Sequence, residues 1–165
     1  MFPAGRVDAC GDNGAMASFF ALLQKTVLDR QTDAMKSHHV SRVIAATPEA
    51  VYEFASNVDN LPKWAAGLAV AKVVRDGDVL LVESPMGRVR VRFVEQNSFG
   101  VLDHDVTLPS GTVVTNPVRV LSHPEGAEVV FTVRQIELDD AAFARDVELV
   151  AADLDRLASQ LGDTA

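Results

Sequence analysis

The segment DDAAFARDVELVAADLDRLASQLG, Asp139 to Gly162, limits this chain's options most. Phe143, Val147, Val150, Leu154, Leu157 and Leu161 recur at spacings of 4, 3, 4, 3 and 4. That is the apolar stripe of one long amphipathic helix, which must lie against another apolar layer. Asp139 is a suitable N-cap, and Gly162 a suitable stop.

The covering layer is a sheet. His38 to Ala46 reads as a first strand. Six further strand-like runs follow at about 69–75, 78–84, 88–95, 99–108, 112–122 and 127–136. RDGD, SPMG, QNS, PSG and HPEGA separate them with turn chemistry, which implies antiparallel hairpins. Between the first strand and the rest lies TPEAVYEFASNVDNLPKWAAG. Thr47 caps a helix with Pro48 at its first position, and Val51, Phe54, Ala55 and Val58 form its buried side. NVDN ends it. Asp59 or Asn60 caps a second short helix, with Pro62 in its first turn, Trp64 near its end and Gly67 as its stop.

Charge pattern tests the register. A turn over Ser84–Gly87 sets Glu83 opposite Arg88, Val82 opposite Val89 and Leu80 opposite Val91. A turn at Asn97-Ser98 sets Arg92 opposite Asp103 and Arg90 opposite Asp105. The outer face then pairs each arginine with an acid. Leu80, Val82, Val89, Val91, Phe93, Leu102, Val106 and Leu108 share the inner face with His104. A turn at Ser110-Gly111 pairs Leu102 with Arg119 and points Arg119 inward, whereas a one-residue bulge turns it out.

Composition removes several function classes. A net charge of −8 argues against non-specific binding to nucleic acid or anionic membranes. No apolar run approaches the roughly 20 residues of a membrane span. The single cysteine, Cys10, cannot form an internal disulfide, and a cytoplasmic location is the expectation. No metal-ligand spacing, phosphate-binding loop or nucleophile elbow is present, so neither a metal nor a cofactor is expected. Residues 1–34 read either as an extension outside the domain or as a helix docked on it, with a second start-like MKSHHVSRV at Met35. Residues 35–165 read as the single domain.

The element order and TPEAVYEF…VDNLPKW resemble the START-like or Bet v 1-like superfamily, the polyketide cyclase/dehydrase-like group. SPMG before RVRVRF and Asp103-His104 are similar to features of its uncharacterised bacterial members. The resemblance implies an α+β helix-grip fold, in which a curved seven-stranded antiparallel sheet wraps the C-terminal helix around a cavity for an apolar ligand. The expected ligand-binding residues are Trp64, Leu80, Val82, Val91, Phe93, Leu102, His104, Arg119, Phe131, Phe143, Val147, Val150 and Leu154.

Three functions follow from this reading. The first is binding or transport of an apolar or amphipathic small molecule, by a monomer or homodimer. The second is a metal-free cyclase or dehydratase, with His104 as general acid or base and Arg119 stabilising an enolate. The third is a toxin-like or co-chaperone-like interaction module, which needs an exposed apolar patch near Val79 and Leu81.

Overall fold

A computed structural model describes residues 35–66, 73–84 and 87–162. The chain divides into two units, Met1–Met35 and Lys36–Ala165, and the described elements belong to the second. The sequence readings for residues 1–34, for Gly67, for the start of the 69–75 run and for the middle of the SPMG turn fall outside the described residues.

Strand β1 (Ser37–Ile44) leads into helix α1 (Pro48–Ser56), a 3₁₀ turn (Val58–Asn60) and the short helix α2 (Leu61–Trp64). Thr47 caps α1 as its sequence suggests, its Oγ1 accepting from the Ala50 N–H at 3.3 Å. The second cap differs. Asn57 holds the 3₁₀ turn by accepting from the Asp59 N–H at 3.0 Å. Asn60 instead donates to the Phe54 carbonyl at 3.1 Å and ties the two helices together. Leu61 and Trp64 are buried.

Seven strands follow: β2 (Val73–Asp76), β3 (Val79–Ser84), β4 (Gly87–Phe93), β5 (His104–Thr107), β6 (Val113–Asn116), β7 (Val118–His123) and β8 (Gly126–Arg134). The long helix α3 (Asp140–Gly162) closes the fold. Asp139 caps α3, accepting from the Ala142 N–H at 2.7 Å.

The expected single seven-stranded sheet is instead two antiparallel sheets, ordered β1-β8-β7 and β2-β3-β4-β5-β6. The division falls at Pro117, which has no N–H to donate toward β8, and the next N–H, of Val118, goes to the Asp103 side chain rather than to a strand carbonyl. Residues before it pair with β5, and residues after it pair with β8. A bridge between Val101 and Arg119 keeps the two sheets adjacent.

The β3–β4 register matches the charge argument, with Glu83 opposite Arg88 and Leu80 opposite Val91. The β4–β5 register does not. Arg92 stands opposite Asp105 and Arg90 opposite Thr107, two residues from the expected pairing. The connecting loop is held open by Asn97, whose side chain bonds the backbone of Glu95, Phe99 and Val101. A shift of two preserves which face each residue occupies. The inner face therefore stands, while Arg92 finds its ion pair at Asp78, 3.2 Å away. Helix α3 lies over β1, β8 and α2, with Leu154 and Leu157 in the core beside Ile44, Val82, Val91 and Val129.

Candidate functional site: a cavity under the C-terminal helix

A cavity of about 290 Å³ lies between α3, α2 and the inner faces of β4, β5, β6 and β8. Each wall follows from a local pattern. Strand alternation turns Phe93, His104, Val106, Val114 and Phe131 inward. Helix α2 supplies Leu61 and Trp64, with Ala65 just past its end. Helix α3 supplies Asp146, Leu149, Val150, Asp153 and Leu154, spaced so that they share one side of the helix. Leu149, 49% exposed, and the exposed Arg145 place an opening beside the outer turns of α3.

His104 sits deep in this wall, 6% exposed, with its ring 4.8 Å from that of Phe93 and 5.8 Å from that of Phe131. Its Nδ1 lies 3.2 Å from the Leu102 carbonyl, which can only accept, so Nδ1 carries the proton. Nε2 is then an acceptor for the Asn116 amide, 3.4 Å away. Burial pushes the imidazole pKa down, against the opposing pull of the Leu102 carbonyl and the charges of Asp103 and Asp105. The ring is neutral and satisfied at both nitrogens, by the Leu102 carbonyl and the Asn116 amide. The Tyr52 hydroxyl accepts from the Asn97 N–H at 2.9 Å.

Arg119 is not in the cavity. The β5–β6 connection is a three-residue loop, Pro109 to Gly111, closed by the Leu108 N–H on the Thr112 carbonyl. That is one residue longer than a turn at Ser110-Gly111. It sets Arg119 opposite Val101 rather than Leu102 and turns it to the outer face without a bulge. There Arg119 pairs with Asp103, while Val118 and Val120 point inward and are buried. An acid–base pair of His104 and Arg119 about one substrate does not exist in this geometry.

Burial works to raise the Asp103 carboxyl. The Arg119 guanidinium, the Val118 N–H and nearby positive charge outweigh it and hold the pKa below the usual 3.8. The stabilisation from Asp103 is therefore complete above the unfolded value and disappears as pH falls through the folded one. Asp103→Asn is expected to lower stability at neutral pH and to flatten the acid limb of a urea-midpoint against pH curve. An unchanged acid limb would show that the pair contributes nothing.

The other expected site residues divide. Trp64, Phe93, Phe131, Val150 and Leu154 line the cavity with His104. Leu80, Val82 and Val91 are sealed in the core and do not reach it. Leu102 borders a separate groove beside Tyr52. Phe143 and Val147 are half-buried but lie off the cavity wall. The polar groups that do line it, Asn116, Arg134, Arg145, Asp146 and Asp153, were not expected. The two acids were legible in principle. Asp146 falls between Phe143 and Val150, and Asp153 between Val150 and Leu157, on the apolar stripe itself.

Asp153 is 8% exposed and paired with Arg156, whose Nε also donates to the Trp64 carbonyl at 3.3 Å. Asp146 has no ion pair among the described residues. Burial, and then the charge of Asp153, raise its pKa. The Val79 and Leu81 patch is absent: Val79 is buried and Leu81 half-buried. No group of residues suited to a metal ion occurs among the described residues, and no described helix is long and apolar enough to cross a membrane.

A long helix gripped by antiparallel sheets over a mostly apolar cavity defines a helix-grip domain of the START-like or Bet v 1-like class. The chain belongs to the family described as polyketide cyclase / dehydrase and lipid transport, which it matches over residues 35–162. Solved structures share the fold at low identity. A protein from Chromobacterium violaceum is 16% identical, with a TM-score of 0.57 over 76% of this chain and 97% of that one. One from Mesorhizobium loti is 13% identical, with a TM-score of 0.60 over 79% and 99%. One from Rhodobacter sphaeroides is 16% identical, with a TM-score of 0.59 over 80% and 100%. No curated protein matches the sequence.

Proposed function

We propose that this protein binds a small apolar or amphipathic molecule in the cavity under α3. The observation that carries this reading is the cavity itself: about 290 Å³, walled mainly by apolar side chains from both sheets and two helices. Protein interiors are ordinarily packed without voids of this size. The volume lies near the lower end of the roughly 300–1,000 Å³ typical of ligand sites. It suits one ring system or one short chain and excludes a two-chain phospholipid. Binding is favoured over the cyclase or dehydratase reading because Arg119 pairs with Asp103 on the outer face and His104 has both ring nitrogens hydrogen-bonded.

Trp64 is the only tryptophan and lines the cavity, so its fluorescence reports occupancy. Octanol is expected to change that emission saturably. Val150→Trp fills the space from α3 and is expected to weaken octanol binding by about tenfold or more, at a stability cost of about 1–3 kcal/mol. Calorimetry reads the affinity of the variant independently of the added tryptophan. Binding by Val150→Trp as tight as wild type, or no binding by wild type, rejects the reading.

A further inference from the structure

The cavity is chemically lopsided. Its sheet wall is mostly apolar: the polar pair there, His104 and Asn116, is bonded to itself, and Arg134 at the end of β8 adds one positive charge. Its helix wall carries two carboxylates about two turns apart, Asp146 and Asp153. Arg156 neutralises Asp153, whereas Asp146 faces the cavity half-buried with no cation within ion-pair distance among the described residues. On α2, the buried Trp64 Nε1 also has no hydrogen-bond partner; as an N–H donor it can meet only an acceptor, not an ammonium nitrogen.

We propose that the ligand is a small amphipathic amine, its apolar body among Phe93, Val106 and Phe131 and its cationic nitrogen on the Asp146 carboxylate. This rests on the cavity reading above and narrows it to one chemical class.

Two arginines border the same cavity, and they raise the opposite possibility of an anionic ligand. Arg145 is exposed and Arg134 half-buried, and neither pairs with Asp146. The exposed Arg145 guanidinium is well solvated and gains little from a new partner; the half-buried Arg134 is the group an anionic ligand would use, and octanoate binding tests it. Asp146 has already lost part of its hydration and is repelled by Asp153, so a cation arriving beside it gains more. The net charge of −8 also draws cations toward the chain.

The remaining neighbours do not compete. His104 is neutral, Asn116 is uncharged, and Arg156 is engaged with Asp153 and the Trp64 carbonyl. Amine binding should therefore strengthen as pH rises through the Asp146 pKa, because the carboxylate is the binding form. Alcohol binding should not change over that range.

The test compares octylamine, octanol and octanoate by isothermal titration calorimetry on the full chain. Octylamine is expected to bind about tenfold more tightly than octanol. Asp146→Asn should abolish the preference, so that the ratio of octylamine to octanol affinity in that variant falls to about one. Equal affinities, a preference for octanoate, or an amine preference that survives Asp146→Asn would overturn the proposal while leaving the cavity reading intact. Failure of all three to bind would end both. Carboxyl-carbon NMR titration of the unmodified protein is a second measure that needs no variant. Octylamine should lower the Asp146 pKa, and an unmoved titration counts against the proposal.

Discussion

Gly126→Ala is expected to cost about 3 kcal/mol or more, enough to unfold a marginal domain. Gly126 opens β8 at φ 133°, a conformation that L side chains rarely adopt. Backbone strain of this kind costs about 1–3 kcal/mol. A methyl group would also lie 2.3 Å from the Ile44 carbonyl oxygen and 2.9 Å from that of Ala46. Both are backbone atoms, so the overlap is relieved only by moving β1 from β8, at a further cost of about 1–3 kcal/mol. The check is urea denaturation, where the midpoint should fall with an unchanged slope. Gly77→Ala is the comparison. Gly77 also has positive φ, but nothing lies within 4 Å of the added carbon, so only the strain remains. Equal losses in the two variants would show that the close approach at Gly126 carries no energy.

Leu157→Ala is expected to destabilise by about 2–5 kcal/mol. Leu157 has no exposed surface and sits in the core where α3 meets the sheets. Truncation loses the burial and leaves a void that the surrounding strands cannot fully close. Leu149→Ala on the same helix should cost about 0.5 kcal/mol or less, because Leu149 is half exposed at the cavity opening. A Leu157→Ala loss as small as that at Leu149 would mean that α3 is not the element that seals this core.

Most of the architecture is legible in local pattern. Thr47-Pro48 starts α1, Asp139 starts α3, and the alternation through Val82, Val89 and Val91 marks the buried face. These signals are short-range: a cap, a fixed φ, a period of two. The cavity left a weaker trace. The cavity itself was implied only by the family resemblance, but that Phe93, Val150 and Leu154 face inward followed from the same periodicities. The off-site placement of Phe143 and Val147 did not. An apolar stripe marks the buried arc of a helix, but how that arc divides between close packing and open space depends on where each turn of α3 meets the strands.

The sequence by itself determined the order of elements, the family, and which residues of β3 and β4 face inward. Tertiary structure alone decided three further matters. One extra residue in the Pro109–Gly111 loop moved Arg119 from the cavity to Asp103, because strand pairing inverts a face with every single-residue step. The expected single sheet divided in two at Pro117, because its missing N–H faces β8 and the Val118 N–H bonds the Asp103 side chain, a partner that only the tertiary structure brings there. The position of α3 left Asp146 at a cavity without a counter-ion among the described residues, because neither arginine that lines the same space comes within ion-pair distance of it. Each result depends on long-range placement, which fixes the chemistry of the site after local pattern has fixed the fold.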